Sequence, residues 1–159
     1  MNLLRCFYYS NNKASFYSLL DYFIDEGDVH PMIGSLVCRA SLKYGIKKQN
    51  LFCENPLQYV MTVDLKYDYD FKNIFIKTLD SVLKNNDFAK KKQTLLINGD
   101  QTRGNLFDIE SRSIIRIQEI IRYEIEKYRT IFKNSEEGFI KKWPLEYTLY
   151  GWLISMKNG

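Results

Sequence analysis

Residues 146–156 read Glu-Tyr-Thr-Leu-Tyr-Gly-Trp-Leu-Ile-Ser-Met, and the fold class turns on this stretch. Both of its alternating faces are largely apolar, with Tyr147, Leu149 and Leu153 on one and Tyr150, Trp152, Ile154 and Met156 on the other. That is the pattern of a strand covered on both sides rather than of a half-wet edge. Gly151 in its middle implies a bulge or the close approach of another group. A strand this apolar needs neighbours. The preceding sequence offers two weaker candidates: 59–65 (Tyr-Val-Met-Thr-Val-Asp-Leu), rich in β-branched residues, and 93–98 (Gln-Thr-Leu-Leu-Ile-Asn), which runs into a turn at Asn98-Gly99. The sheet therefore reads as begun and not finished, since the sequence stops at Gly159.

The other segments read as helices and turns. Phe16, Leu19, Leu20, Phe23 and Ile24 recur at helical spacing over 15–26, and Gly27 supplies a stop. Asp28-Val-His-Pro31 opens a second helix, because proline at the first helical position lacks only an N–H that needs no partner there. Met32, Leu36 and Ala40 line one face of it, and Gly45 ends it. The two helices form one helical hairpin of the kind used in repeat arrays. Asn55-Pro56 marks a turn in the connector that follows. Asp70 is placed to cap a helix from Phe71 to about Lys84, which Asn85-Asn86-Asp87 breaks. Gly104 marks another turn, and Asp108 or Ser111 caps a long helix. In that helix Ile114, Ile117, Ile121, Ile125, Tyr128 and Phe132 make one continuous apolar stripe. Residues 134–138 form a polar loop.

Composition narrows the classes of function. With 45% apolar and 26% charged residues the chain can bury a real core, which excludes disorder; 3 Pro and 8 Gly exclude collagen-like chains. No apolar run approaches the roughly 18 residues of a membrane-spanning helix, and Met1–Tyr9 lacks the architecture of a signal peptide, so the expected location is cytoplasmic and no membrane is expected as a partner. The net charge is +4. Its densest basic run, Lys90-Lys91-Lys92 with Lys84 nearby, reads as a solvated loop, and nucleic acid is not the expected partner because no Arg-rich or Gly/aromatic signature accompanies it.

The chemistry-bearing residues are few. Cys6, Cys38 and Cys53 have no zinc-module spacing and read as reduced thiols, with Cys38 as a small core residue. The single histidine, His30, reads as a helix-start or surface residue rather than half of a Cys-His pair. The carboxylate pairs Asp68/Asp70 and Glu136/Glu137 lie in turns, where solvated acids are the norm. No phosphate loop, dinucleotide fingerprint or nucleophile elbow occurs; Gly99-Asp-Gln-Thr-Arg-Gly104 lacks the Lys-Ser/Thr of a phosphate loop.

Residues 95–107 read Leu-Leu-Ile-Asn-Gly-Asp-Gln-Thr-Arg-Gly-Asn-Leu-Phe. This resembles the nG-x-Q-T-x-G-N-L-F stretch of a family of Fe(II)/2-oxoglutarate-dependent oxygenases whose domains often follow tetratricopeptide repeats. The family pattern continues with an amphipathic helix, a polar gap and a strand of the type L-x-G-W-x-x-x-M/L-x-x-G-G. The corresponding pieces here are the helix from Ser111 to Phe132 and Leu149–Gly159. The stretch Pro31 to Val60, with Cys38-Arg-Ala40 and Phe52-Cys-Glu-Asn-Pro-Leu57, also resembles the segment before such domains.

The resemblance implies an α+β fold: an N-terminal helical pair over 1–55, then over 56–159 helices packed on the first strands of an incomplete double-stranded β-helix, or jelly-roll, sheet. It implies the N-terminal part of a hydroxylase, with Fe(II) and 2-oxoglutarate as cofactors of the complete domain. In the family the His-x-His or His-x-Asp element and a distal His follow the point at which this sequence stops. A facial triad needs two imidazoles and a carboxylate, so His30 with Asp28 cannot complete one. The chain is expected to bind no metal, to hold no cofactor and to be inactive alone. Gln101, Thr102, Asn105, Gly151 and Trp152 are the residues the motifs single out, either for substrate or co-substrate or for turn chemistry, with Trp152 expected in the core. The expected partner is the missing C-terminal half or a protein at the open sheet edge. The alternative reading is a non-enzymatic interaction module.

Overall fold

The computed structural model describes residues 1–84, 90–92 and 99–156. The helices are α1 (Asn2–Tyr9), α2 (Lys13–Asp25), α3 (Pro31–Tyr44), α4 (Thr78–Lys84), α5 (Arg112–Ile131) and α6 (Gly138–Lys141). The strands are β1 (Lys90–Lys92), β2 (Gly99–Thr102) and β3 (Ile154–Met156). The architecture is thus mixed helix and sheet. The chain forms two compact units, one of Met1–Met61 with Arg129–Leu145 and one of Thr62–Tyr128 with Glu146–Gly159, the division falling within α5.

The first unit is built on α1, α2 and α3. Leu4, Tyr8, Phe16, Leu20, Ile33, Leu36, Val37 and Ala40 make its core, and burying each large side chain contributes roughly 1.5–3 kcal/mol. α1 was not anticipated. Its apolar residues Leu4, Phe7 and Tyr8 have helical spacing, but eight residues are too few to hold a helix without the packing that α2 and α3 supply. The Asn12 side chain caps α2 by accepting the Ser15 N–H at 3.2 Å. His30 caps α3, its Nδ1 accepting the Met32 N–H at 3.1 Å, and Pro31 follows at the first helical position. Gly45 closes α3 in the left-handed region at φ 68°.

Asn50 organises the connector after α3. It is buried, and its amide donates to the Gly34 carbonyl at 3.1 Å and to Cys38 Sγ at 3.3 Å. Its Oδ1 accepts from the N–H groups of Phe52 and Cys53, both at 3.2 Å. Gly138 at the start of α6 sits so close to this connector that a Cβ there would overlap the Leu51 carbonyl oxygen. Next to it the Phe139 N–H donates to the Phe52 carbonyl at 3.0 Å.

In the second unit, Asp70 accepts the Asn73 N–H at 3.2 Å, as a cap should, and the helix that follows begins as a π-helix over Lys72–Lys77 before it becomes α4. Phe75, Val82, Leu106, Ile114, Ile117 and Ile120 form the core, with Leu65, Phe71, Ile121 and Leu153 packed against it. The first half of the expected α5 stripe, Ile114, Ile117 and in part Ile121, packs on this core, and Ile120, outside the expected stripe, is buried more deeply than Ile121. The sheet is antiparallel in the order β1-β2-β3, with Lys91 opposite Gln101 and Gln101 opposite Ile154.

Several strand expectations are corrected. Residues 59–65 make no strand: Pro56–Tyr59 is a 3-10 turn, and the extended residues after it have no ladder partner among the described residues, with Val60 71% exposed. The candidate strand 93–98 and the helix break at 85–87 lie outside the described residues. The covered strand expected over 146–156 is reduced to Ile154–Met156, and it is exposed. Trp152, expected in the core, is 49% exposed, and Met156 is 69% exposed. The physical reason is visible in the backbone of 147–153. The backbone groups bonded at Tyr147, Leu149, Gly151 and Leu153 meet mostly side chains and the Leu106 N–H, as described below, instead of a full ladder, so apolarity on two faces did not translate into two covering layers.

Candidate functional site

The two stretches that carry the sequence resemblance meet in the second unit. Gly104, at φ 75°, turns the chain out of β2 and delivers Asn105 to the start of a short 3-10 turn over Leu106–Asp108. Asn105 Oδ1 accepts the Gly151 N–H at 2.9 Å and the Phe107 N–H at 3.3 Å. Its Nδ2 donates to the Leu149 carbonyl at 3.1 Å and to Asp108 Oδ1 at 2.9 Å. Two acceptor sites and two donors are the whole capacity of an asparagine amide, so none is left for a ligand. Asn105 is a staple between the two stretches.

Its neighbours act the same way. The Leu106 N–H donates to the Gly151 carbonyl at 2.7 Å. Thr102 is buried; its N–H donates to the Leu153 carbonyl, and its Oγ1 accepts the Leu153 N–H, both at 3.0 Å. Gly151 is the close approach the sequence implied, since a Cβ there would lie 3.0 Å from Cε2 of Phe107. Arg122 of α5 holds the strand's beginning by donating to the Tyr147 carbonyl at 3.2 Å. Of the motif residues, Thr102, Asn105 and Gly151 are thus brought together as one junction. Gln101 lies half-buried beside it in β2, its side chain making no hydrogen bond among the described residues, and Trp152 stands half-exposed, edge-on to Tyr150 at 6.0 Å. Phe107 and Leu149, which lie within the two motif stretches, and Leu153 complete the junction, although none of the three is among the residues the motifs single out.

An iron site does not fit these residues. The sequence holds one histidine, and its Nδ1 is occupied as the cap of α3. Among the described residues no group of three or more His, Cys, Asp and Glu could hold a metal ion. Asp108, the carboxylate at the junction, is engaged by Asn105.

One acid of each carboxylate pair, Asp70 and Glu137, accepts a backbone N–H. Asp70 is held below the ordinary carboxyl range by the Asn73 side-chain amide and then by the Asn73 N–H. In the first unit an open recess of about 410 Å³ is lined by Asn50, Glu54, Tyr59, Ser135, Glu136 and Glu137, among others. Each of its acids has a partner: Glu54 accepts the Asn50 N–H at 2.8 Å, Glu137 accepts the Glu54 N–H at 2.9 Å, and Glu136 pairs with Lys141. In the second unit a recess of about 370 Å³ beside Tyr69 and Tyr123 has Arg116 and Glu119 neutralising each other at 3.2 Å. Burial, and then the nearby Glu137, push the Cys53 thiol up, which is the wrong direction for a nucleophile. No helix among the described residues is long and apolar enough to cross a membrane.

No protein-family model matches the chain, and no curated protein or solved structure matches it.

Proposed function

We propose that this chain is the N-terminal part of a domain of the Fe(II)/2-oxoglutarate oxygenase type, inactive alone and working in the cytoplasm. The observation that carries the reading is the junction itself. The Gln-Thr-x-Gly-Asn-Leu-Phe and Leu-x-Gly-Trp stretches, separated by more than forty residues, are joined by one asparagine side chain, as two parts of one family motif would be. In this reading the small antiparallel sheet is the start of a jelly roll. The iron ligands come from outside these residues, because one imidazole cannot build the triad. The test is to assay succinate release with Fe(II) and 2-oxoglutarate, for this chain alone and for the chain extended through the reading frame beyond codon 159. The reading expects none from the first and turnover from the second. Turnover by the 159 residues alone, or an extension with no His-x-His or His-x-Asp element, refutes it.

A second reading, a non-enzymatic interaction module, is favoured by one observation: Ile154 and Met156 of the end strand, and Tyr150 and Trp152 just before it, are all exposed. If the frame closes at codon 159, this reading takes precedence. Pull-down with the chain and with Trp152→Ala/Met156→Lys then tests it, and equal capture by both refutes it.

A further inference from the structure

The charges of the first unit are sorted along its helices. The end of α1, the start of α2 and the end of α3 come together: Lys43 Nζ donates to the Tyr8 carbonyl at 3.2 Å, and Lys13 stands 5.7 Å from the ring centre of Tyr44. Lys13, Arg39, Lys43 and Lys48 gather there, and exposed Lys47 precedes Lys48 in the chain. Among the described residues Asp21 answers only Lys48, at 2.7 Å. The remaining acids of α2 and its following turn, Asp25, Glu26 and Asp28, are at the other end of that helix, roughly 18 Å from Lys13 at 1.5 Å per residue.

Lys13, Arg39 and Lys43 lean on rings. Arg39 lies 5.2 Å from the centre of Tyr8 and 5.8 Å from that of Tyr9, and Lys43 lies 4.5 Å from Tyr8 and 5.1 Å from Tyr44. An aromatic face holds a cation in place without cancelling its charge.

Helix dipoles explain only part of this. Lys43 suits the last turn of α3 and satisfies an end carbonyl of α1. Lys13 does not suit its place, because it opens α2, where the dipole repels a cation. Lys47 lies past α3, outside any helix. The Tyr44 ring anchors Lys13 without cancelling its charge, and Lys47 makes no ion pair among the described residues. The patch also presents a ring: Tyr9 is 58% exposed, braced edge-on by Tyr8 at 5.4 Å.

We propose that this end of the first unit binds single-stranded nucleic acid, its lysines and arginine on the phosphates and Tyr9 under a base. Stacking rings flanked by unneutralised cations are what such a strand needs. An anionic membrane would call for an apolar stripe between the cations, and the exposed large apolar residue of α3 is Leu42 alone. The sequence hid the patch because its residues are scattered from position 9 to position 48, whereas the visible basic run is Lys90–Lys92.

The test is fluorescence anisotropy of labelled oligo-thymidylate with the whole chain. With three phosphates contacted, affinity falls by roughly a hundredfold for each tenfold rise in salt, from a single-strand slope of about −0.7 per contact. Lys13→Gln/Arg39→Gln/Lys47→Gln weakens binding and flattens that slope. Tyr9→Ala weakens it by about tenfold and leaves the slope intact, a pairing that misfolding does not produce. Lys133→Gln/Lys142→Gln leaves binding as it was. The proposal is overturned by absence of salt-sensitive binding, by equal binding of the triple variant, or by loss only in Lys90→Gln/Lys91→Gln/Lys92→Gln. Tighter binding to phosphatidylserine vesicles, or equally effective competition by polyglutamate, overturns it too.

Discussion

Replacing Asn105 tests the account of the junction. Asn105→Ala removes four hydrogen bonds at once, two of them to Leu149 and Gly151 across the junction and two local ones to Phe107 and Asp108. At a net of about 1 kcal/mol each, and with water replacing the local pair in part, the loss is about 2–3 kcal/mol. That corresponds to a fall in Tm of about 5–10 °C. Asn105→Asp is the sharper variant. Its carboxylate still accepts from Gly151 and Phe107, but it turns an oxygen towards the Leu149 carbonyl and the Asp108 carboxylate, where the amide now donates at 3.1 and 2.9 Å. At neutral pH it is therefore at least as destabilising as alanine. Adding Asp108→Asn restores a donor–acceptor pair with the roles exchanged, and the double-mutant cycle gives a coupling of about 1–2 kcal/mol. Urea unfolding followed by circular dichroism reads all four proteins. An Asn105→Ala variant within about 0.5 kcal/mol of the parent, the scatter of ordinary surface changes, refutes the staple. So does an Asn105→Asp variant as stable as the parent.

Three other outcomes are expected. Gly138→Ala costs about 3 kcal/mol, because the new Cβ meets the fixed Leu51 carbonyl, whereas Gly151→Ala costs about 1 kcal/mol, because the Phe107 ring edge can tilt away; the reverse order in urea unfolding contradicts the packing described. With a thiol reagent under native conditions exposed Cys6 is modified first and Cys53 last, since Cys53 is buried and its thiol pKa is raised; equal rates contradict this. Asp70→Ala lowers Tm at neutral pH. Because the folded-state pKa of Asp70 is depressed, its contribution is complete above the unfolded value of about 3.9 and is lost as pH falls through the lower folded value. The gap between parent and variant therefore closes in acid, and a gap that persists there argues against the cap.

The helices were legible because their signals are local. Pro31, Gly45 and the apolar faces of α2, α3 and α5 lie within a few residues of what they determine. Asp70 announced its helix in the same way. α1 was missed because its stability comes from tertiary burial of Leu4 and Tyr8. The strands failed for the opposite reason. Tyr59–Leu65 has strand composition, but a strand exists only where a partner arrives, and none does among the described residues. Residues 147–153 were given partners of another kind, Arg122, Asn105 and Thr102, which no period along the chain reveals. Asn105 itself was legible as a motif residue but not as a staple, because Leu149 and Gly151 lie 44 and 46 positions away.

The π stretch Lys72–Lys77 bears on tolerance to changes of length. Its wide turn accommodates one residue more than an α-turn, with the Phe71 and Phe75 rings stacked at 4.9 Å on it. Deleting one codon inside it tightens the turn to ordinary α geometry and leaves the flanking contacts of Phe71 and Val82 within reach. The same deletion inside Arg112–Ile131 swings everything after it by about 100° and strips the isoleucine face from its core. In a scan of single-codon deletions, survivors within helices should cluster at 72–77.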